Sequence, residues 1–204
     1  MSAAELTALI LFCTAMSFSP GPNTTLSTAL AANHGLKRAM RFCFAVPTGW
    51  TLLMLACGLG LGAAVTSVPA LRWAVKLAGV AYMLWLAWKL AGSSQMAQLD
   101  ASRLDISFSQ GVGLQFLNIK AWMLALTLTA GWVVNAAGQP ASNPGQRLAI
   151  ICVLMVLFAF TSNFVYALAG SMLRHWLAQG QRLAWFNRLL ALVLAATAAW
   201  MVTV

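Results

Sequence analysis

Ser19-Pro20-Gly21-Pro22-Asn23 interrupts a hydrophobic stretch that would otherwise form one transmembrane helix. The stretch begins near Ala4, carries Leu6 to Phe18, and resumes after the prolines as far as Ala32. Each proline lacks an N–H and its ring clashes with the preceding turn, so a Pro-Gly-Pro run breaks a helix. Inside a bilayer, irregular backbone persists only where protein buries it or where it lines a wet cavity. A helix broken at membrane depth therefore marks a candidate binding site, a device that secondary transporters use.

Composition makes the membrane setting compelling. The chain has 204 residues, of which 61% are hydrophobic and only 7% charged, with a mean hydropathy of +0.82. Such a balance excludes an ordinary soluble domain and fits a polytopic membrane protein. Six apolar spans are expected, at Ala4–Ala32 (broken), Phe42–Val65, Leu71–Ala91, Gly111–Val134, Leu148–Leu173 and Leu183–Val202. Each is near or above the roughly 20 residues needed to cross about 30 Å of hydrocarbon. The short loops leave no room for a soluble domain, so residues 1–204 are expected to form one all-α transmembrane domain. The N-terminus has no basic run and no convincing cleavage site, and Glu5 is its only early charge. The first span is therefore expected to remain in the mature protein.

Basic residues set the expected orientation. Lys37, Arg38, Arg41, Lys89, Arg103, Arg174, Arg182 and Arg188 fall in the odd loops, and only Arg72 and Arg147 in the even ones. The positive-inside rule places the odd loops in the cytoplasm and both termini outside. The net charge of +9 raises the possibility of nucleic acid, but the charges sit at span ends without patches or runs. They read as topology signals and contacts with anionic lipid head groups, with no nucleic-acid partner. Trp73, Trp88, Trp132, Trp176, Trp185 and Trp200 fall near span ends, as interfacial anchors do. Trp50 and Trp122 lie deeper and read as core packing. Cys13, Cys43, Cys57 and Cys152 fall within spans without a CxxC pair, and read as small apolar residues. His34 and His175 read as solvated loop residues. No His/Cys cluster suggests a metal or another cofactor.

Three spans precede the central connector, residues 92–110, and three follow it. An odd number per half inverts the second half relative to the first. This predicts two inverted repeats, residues 1–91 and 111–204, and a second break at the start of the fourth span. There the chain reads Gln115-Phe116-Leu117-Asn118-Ile119-Lys120-Ala121-Trp122. Asn118 and Lys120 lie about 13 Å into the span at ~1.5 Å per residue. An ionisable residue at that depth is a functional candidate; the alternative is a Lys120 that snorkels to the interface.

These residues carry a resemblance. Ser19-Pro20-Gly21-Pro22-Asn23, the Leu77–Lys89 stretch, Phe108 with Leu114–Trp122, and Tyr166-Ala167-Leu168-Ala169-Gly170 together resemble the LysE/RhtB family of amino-acid exporters along the whole chain. Where that family carries Asn-Pro-Lys, this chain has Asn118-Ile119-Lys120, which leaves the second break without its proline and leans toward the cysteine and O-acetylserine branch. The resemblance implies a six-helix inner-membrane exporter of small amino acids, driven by an ion gradient, with the proton as the expected coupling ion.

The implied chemistry suits the residues. A helix restarting at Pro22 aims free N–H groups and a positive dipole end at membrane depth, which suits a carboxylate. Lys120 adds a positive charge, and Asn23, Gln115 and Asn118 add neutral donors and acceptors. Asn163 and Tyr166 share a helix face and either line the same cavity or bond between helices, and Tyr82 has the same two readings. No Asp or Glu falls deep in a span, so the proton carrier is left among Glu5, Lys120, Lys76 and the substrate, and a neutral amino acid is favoured. Gly58 and Gly62 form a small-xxx-small pair for packing within the protomer or for a homodimer face. Two rival classes remain, a membrane assembly factor without transport activity and a membrane thiol oxidoreductase.

Overall fold

The computed structural model describes every residue except 61, 63–66, 93–104, 135–138 and 204. Asp100, Arg103, the end of the second expected span at Val65 and most of the 92–110 connector lie outside the described residues. The described residues form eight α-helices: α1 (Ala3–Phe18), α2 (Pro22–His34), α3 (Leu36–Gly58), α4 (Pro69–Ala91), α5 (Phe108–Leu117), α6 (Ile119–Leu128), α7 (Pro144–Leu177) and α8 (Arg182–Thr203). A π-helical turn, Thr129–Val133, extends α6.

Four of these helices (α3, α4, α7 and α8) are long and apolar enough to cross a membrane. The remaining four make two bent pairs, α1 with α2 at 49° and α5 with α6 at 67°, so up to six spans are present. The first bend follows from Pro20 and Pro22. The second forms without a proline: Asn118 leaves the helical region, and its side-chain oxygen accepts from the Lys120 N–H, capping α6.

The helices run past the apolar segments. Expected to start at Phe42, α3 begins at Leu36, because Lys37, Arg38 and Arg41 form its first turns. Gly35, at φ +85°, makes the tight turn from α2 that permits this. Ser107 and Gln110 form a capping box that starts α5 at Phe108 rather than Gly111. Hydropathy marks only the apolar stretch, whereas both helices begin before it, α3 with its basic residues on the first turns. His34 and His175 accordingly sit on α2 and α7 rather than in loops; His175 is exposed, but His34 is half-buried and its Nε2 is enclosed.

The core divides in two. One cluster joins α2, the first half of α3 (Ala39 to Val46), α4, α5, the second half of α7 and α8. The other joins α1, the second half of α3 (Trp50 to Cys57), α6 and the first half of α7. The α3 chain passes from one cluster to the other between Val46 and Trp50, and the α7 chain between Met155 and Ala159. Lys37, Arg38, Arg41 and Arg174 stand at the end of the first cluster, here called the basic end. All four cysteines are buried and free, as expected of apolar packing residues. Gly58 and Gly62 face Leu148 and Leu126 of the same chain.

Candidate functional site at the paired helix breaks

Between the two clusters lies a polar layer. The break at Ser19–Gly21 and the break at Asn118 meet across a cavity of about 50 Å³. At roughly 10–15 Å³ per water, it has room for a few water molecules. Asn23, Asn118, Lys120, Trp50, Ser162 and Asn163 contribute to its walls, as does the first turn of α2.

Reciprocal amide bonds tie the halves together. Asn23 Nδ2 donates to Gln115 Oε1 at 2.8 Å, and Gln115 Nε2 donates back to Asn23 Oδ1 at 3.1 Å. Gln115 also donates to Gly111 O. Asn23 and Asn118 both line the cavity, but the direct partner of Asn23 is Gln115, one turn before Asn118.

Lys120 reaches across the break rather than snorkelling to an interface. Its Nζ donates to Ser19 Oγ at 2.7 Å and to Ser19 O at 3.0 Å. These acceptors sit at the C-terminal end of α1, where unpaired carbonyls carry partial negative charge. Gly21 makes the approach possible, since a Cβ there would stand 3.3 Å from Lys120 Nζ and Cδ. The backbone at Gly21 is fully extended, so this close contact, not conformational freedom, is what favours glycine.

The fifth expected span supplies two more ties. Ser27 Oγ donates to Asn163 Oδ1 at 2.7 Å, and Asn163 Nδ2 donates to Ala159 O. Tyr166 OH donates to Phe18 O at 3.1 Å, and Thr28 Oγ1 to Tyr166 O. Asn163 therefore lines the cavity, while Tyr166 supports the end of α1 from outside it. Tyr82 stays away from the cavity, its ring tilted against that of Trp85 with centroids 5.4 Å apart and packed on the basic-end core. The structure thus brings Asn23, Gln115, Asn118, Lys120 and Asn163 together around Pro20, Gly21 and Pro22, and leaves Tyr82 aside.

The unused hydrogen-bonding capacity is mostly donor. Asn23 and Thr24 occupy the first turn of α2, where a helix gives its N–H groups no partner. The Asn118 amide nitrogen and the Trp50 indole nitrogen have no partner among the described residues. No acidic residue lines the cavity. Such a site can hold an anionic group and rejects an isolated cation.

A larger groove of about 530 Å³ adjoins the cavity on the other side of the Lys120–Ser19 contact. Met16, Met123, Val193, Thr197 and Trp200 line it, so α8 forms its outer wall. Far from the cavity, Arg147 Nη1 pairs with Glu5 Oε1 at 3.0 Å and Trp132 Nε1 donates to Glu5 O, linking α1, the π turn and α7. Sequence reasoning missed Ser19, Ser27 and Ser162 as polar members of the layer; it read Trp50 as core, and Trp50 belongs to the second core cluster while also lining the cavity. The depth of Trp50 in its span was the available signal.

Comparison with known proteins agrees with the geometry. The model of the LysE type translocator family matches residues 14–203. A cysteine/O-acetylserine efflux protein of Salmonella choleraesuis (strain SC-B67) is 32% identical over 181 residues, covering 86% of each chain. The cysteine/O-acetylserine efflux protein of Klebsiella pneumoniae is 28% identical over 186 residues, 91% of this chain and 92% of the relative. That of Escherichia coli O1:K1 / APEC is 30% identical over 196 residues, 95% of each. No solved structure matches the chain. With its apolar helices and paired breaks, this chain belongs to the LysE family of translocators, and is a membrane transporter rather than an enzyme.

Proposed function

We propose that the protein exports a small neutral amino acid or derivative, of the cysteine/O-acetylserine or homoserine/threonine class, across the inner membrane as a secondary transporter. The observation that carries this reading is the convergence of two helix breaks on a donor-rich cavity inside an apolar bundle. An amino-acid zwitterion matches the first break. Its carboxylate suits the N–H groups of α2 and the charge of Lys120. Its ammonium suits the carbonyl end of α1. A cationic side chain finds no anionic partner there. The efflux function named for the relatives agrees with this chemistry.

The same reading takes the six spans as two inverted repeats, with the basic end in the cytoplasm and the termini outside. The packing supports it: α3 lies on α7, α4 lies on α8, and each bent pair packs against the second helix of the opposite half. A proton is the coupling ion in this scheme, and the absence of cysteine from the cavity wall disfavours thiol chemistry. Proteoliposomes loaded with labelled homoserine, cysteine or O-acetylserine test the function. A pH gradient is expected to drive efflux of at least one; no gradient-dependent efflux of any of them refutes the proposal.

A further inference from the structure

Trp50 is 3% exposed, lines the cavity, and has an indole nitrogen fully enclosed without a hydrogen-bond partner among the described residues. Buried indole N–H groups usually find an acceptor, because leaving a buried donor unmade is expensive. Trp50 packs in the second core cluster, but that packing uses only its rings; a phenylalanine would fill much of the same space without a donor. By contrast Trp122, the other deep tryptophan, is satisfied: its Nε1 donates to Phe116 O at 2.8 Å across the second break.

Several oxygens of the cavity wall are already engaged. The amides of Asn23 and Gln115 satisfy each other, Asn118 Oδ1 caps α6, and Asn163 Oδ1 takes the Ser27 proton. A ligand oxygen in the cavity can supply the acceptor that Trp50 lacks. If the carboxylate docks at α2 and Lys120, as proposed above, the α3 wall faces the rest of the molecule.

We propose that Trp50 is a specificity-determining residue whose indole N–H donates to an oxygen on the substrate side chain, and that the site selects hydroxyl- or acyloxy-bearing amino acids over aliphatic ones of equal size. The inference rests on the transport reading. A site built to bond a substrate oxygen discriminates strongly against an isostere that leaves its buried donor unpaired.

The test compares efflux of homoserine and norvaline, which differ by a hydroxyl in place of a methyl, from proteoliposomes. The wild type is expected to export homoserine with the higher Vmax/KM. Trp50→Phe is expected to lower homoserine efficiency about tenfold more than it lowers that of norvaline, as for one lost hydrogen bond. Incorporation of benzothienylalanine at position 50 keeps the ring size and removes only the N–H, so it is expected to reproduce the effect without loss of folding. An equal loss for both substrates, no loss for either, or a wild type that prefers norvaline overturns the role of Trp50 while leaving transport intact. A wild type that exports no amino acid at all fails the transport reading itself.

Discussion

The basic half of the bundle and the terminal half are held together by different means. In the basic half, helices touch backbone to backbone. A Cβ at Gly170 of α7 would lie 2.3 Å from Thr28 O of α2, and one at Gly79 of α4 would lie 2.2 Å from Leu117 O of α5. In the terminal half, the nearest atoms to a Cβ at Gly58 or Gly62 are the side-chain tips of Leu148 and Leu126. There the distinctive tie is the Glu5–Arg147–Trp132 network, whose glutamate side chain is 40% exposed. Backbone contacts between helices leave no slack and no substitute when broken. A half-exposed ion pair can exchange its partners for water. The terminal half, the cluster of α1, α6 and the adjoining halves of α3 and α7, is therefore the one that can part with less loss.

The largest effect is expected at the seam between the halves. Lys120→Met keeps the apolar stem and removes the charge, and should abolish efflux from proteoliposomes while expression and membrane insertion persist. Normal efflux from this variant would mean that Lys120 only holds the α1 end at Ser19, and the seam would then be structural.

Glycine substitutions sharpen the contrast between the halves. Gly170→Ala should destabilise by ~1–3 kcal/mol or more, because a backbone carbonyl must move. Gly58→Ala should cost less, because Leu148 can change rotamer. Thermal unfolding in detergent measures both, and equal losses would remove the distinction drawn here.

Arg147→Met should cost roughly 1–2 kcal/mol, the pair being partly solvated on the Glu5 side. Its signature should be local: hydrogen exchange is expected to accelerate in α1 and stay unchanged in α2. Acceleration in both would show that the halves are coupled and not separable. The smallest effect is expected for Asn118→Ala, which removes the cap of α6 at about 1 kcal/mol and should reduce efflux without abolishing it.

Much of this architecture can be read from the chain. The break at Pro20–Pro22 follows from proline chemistry alone, and the other spans from apolar length. Asn118 and Lys120 stand out because polar residues at that depth are rare. Where the reading fell short, long-range packing was responsible. Tyr82 has the composition of a site residue, yet its helix turns it toward Trp85 and the basic-end core. Trp50 packs in the second core cluster as read, and because α3 crosses between the clusters beside it, it also stands in the cavity wall.

The sequence by itself determined the membrane class, the position of the first break and the distribution of basic residues, since hydropathy, the missing proline N–H and charge are local properties. Only the tertiary structure decided the partners: Gln115 rather than Asn118 for Asn23, Ser19 for Lys120, Ser27 for Asn163 and none for the Trp50 indole. Those pairings span about a hundred residues or more of chain, and they depend on how helices cross and where glycine lets two backbones meet. No local pattern carries that information.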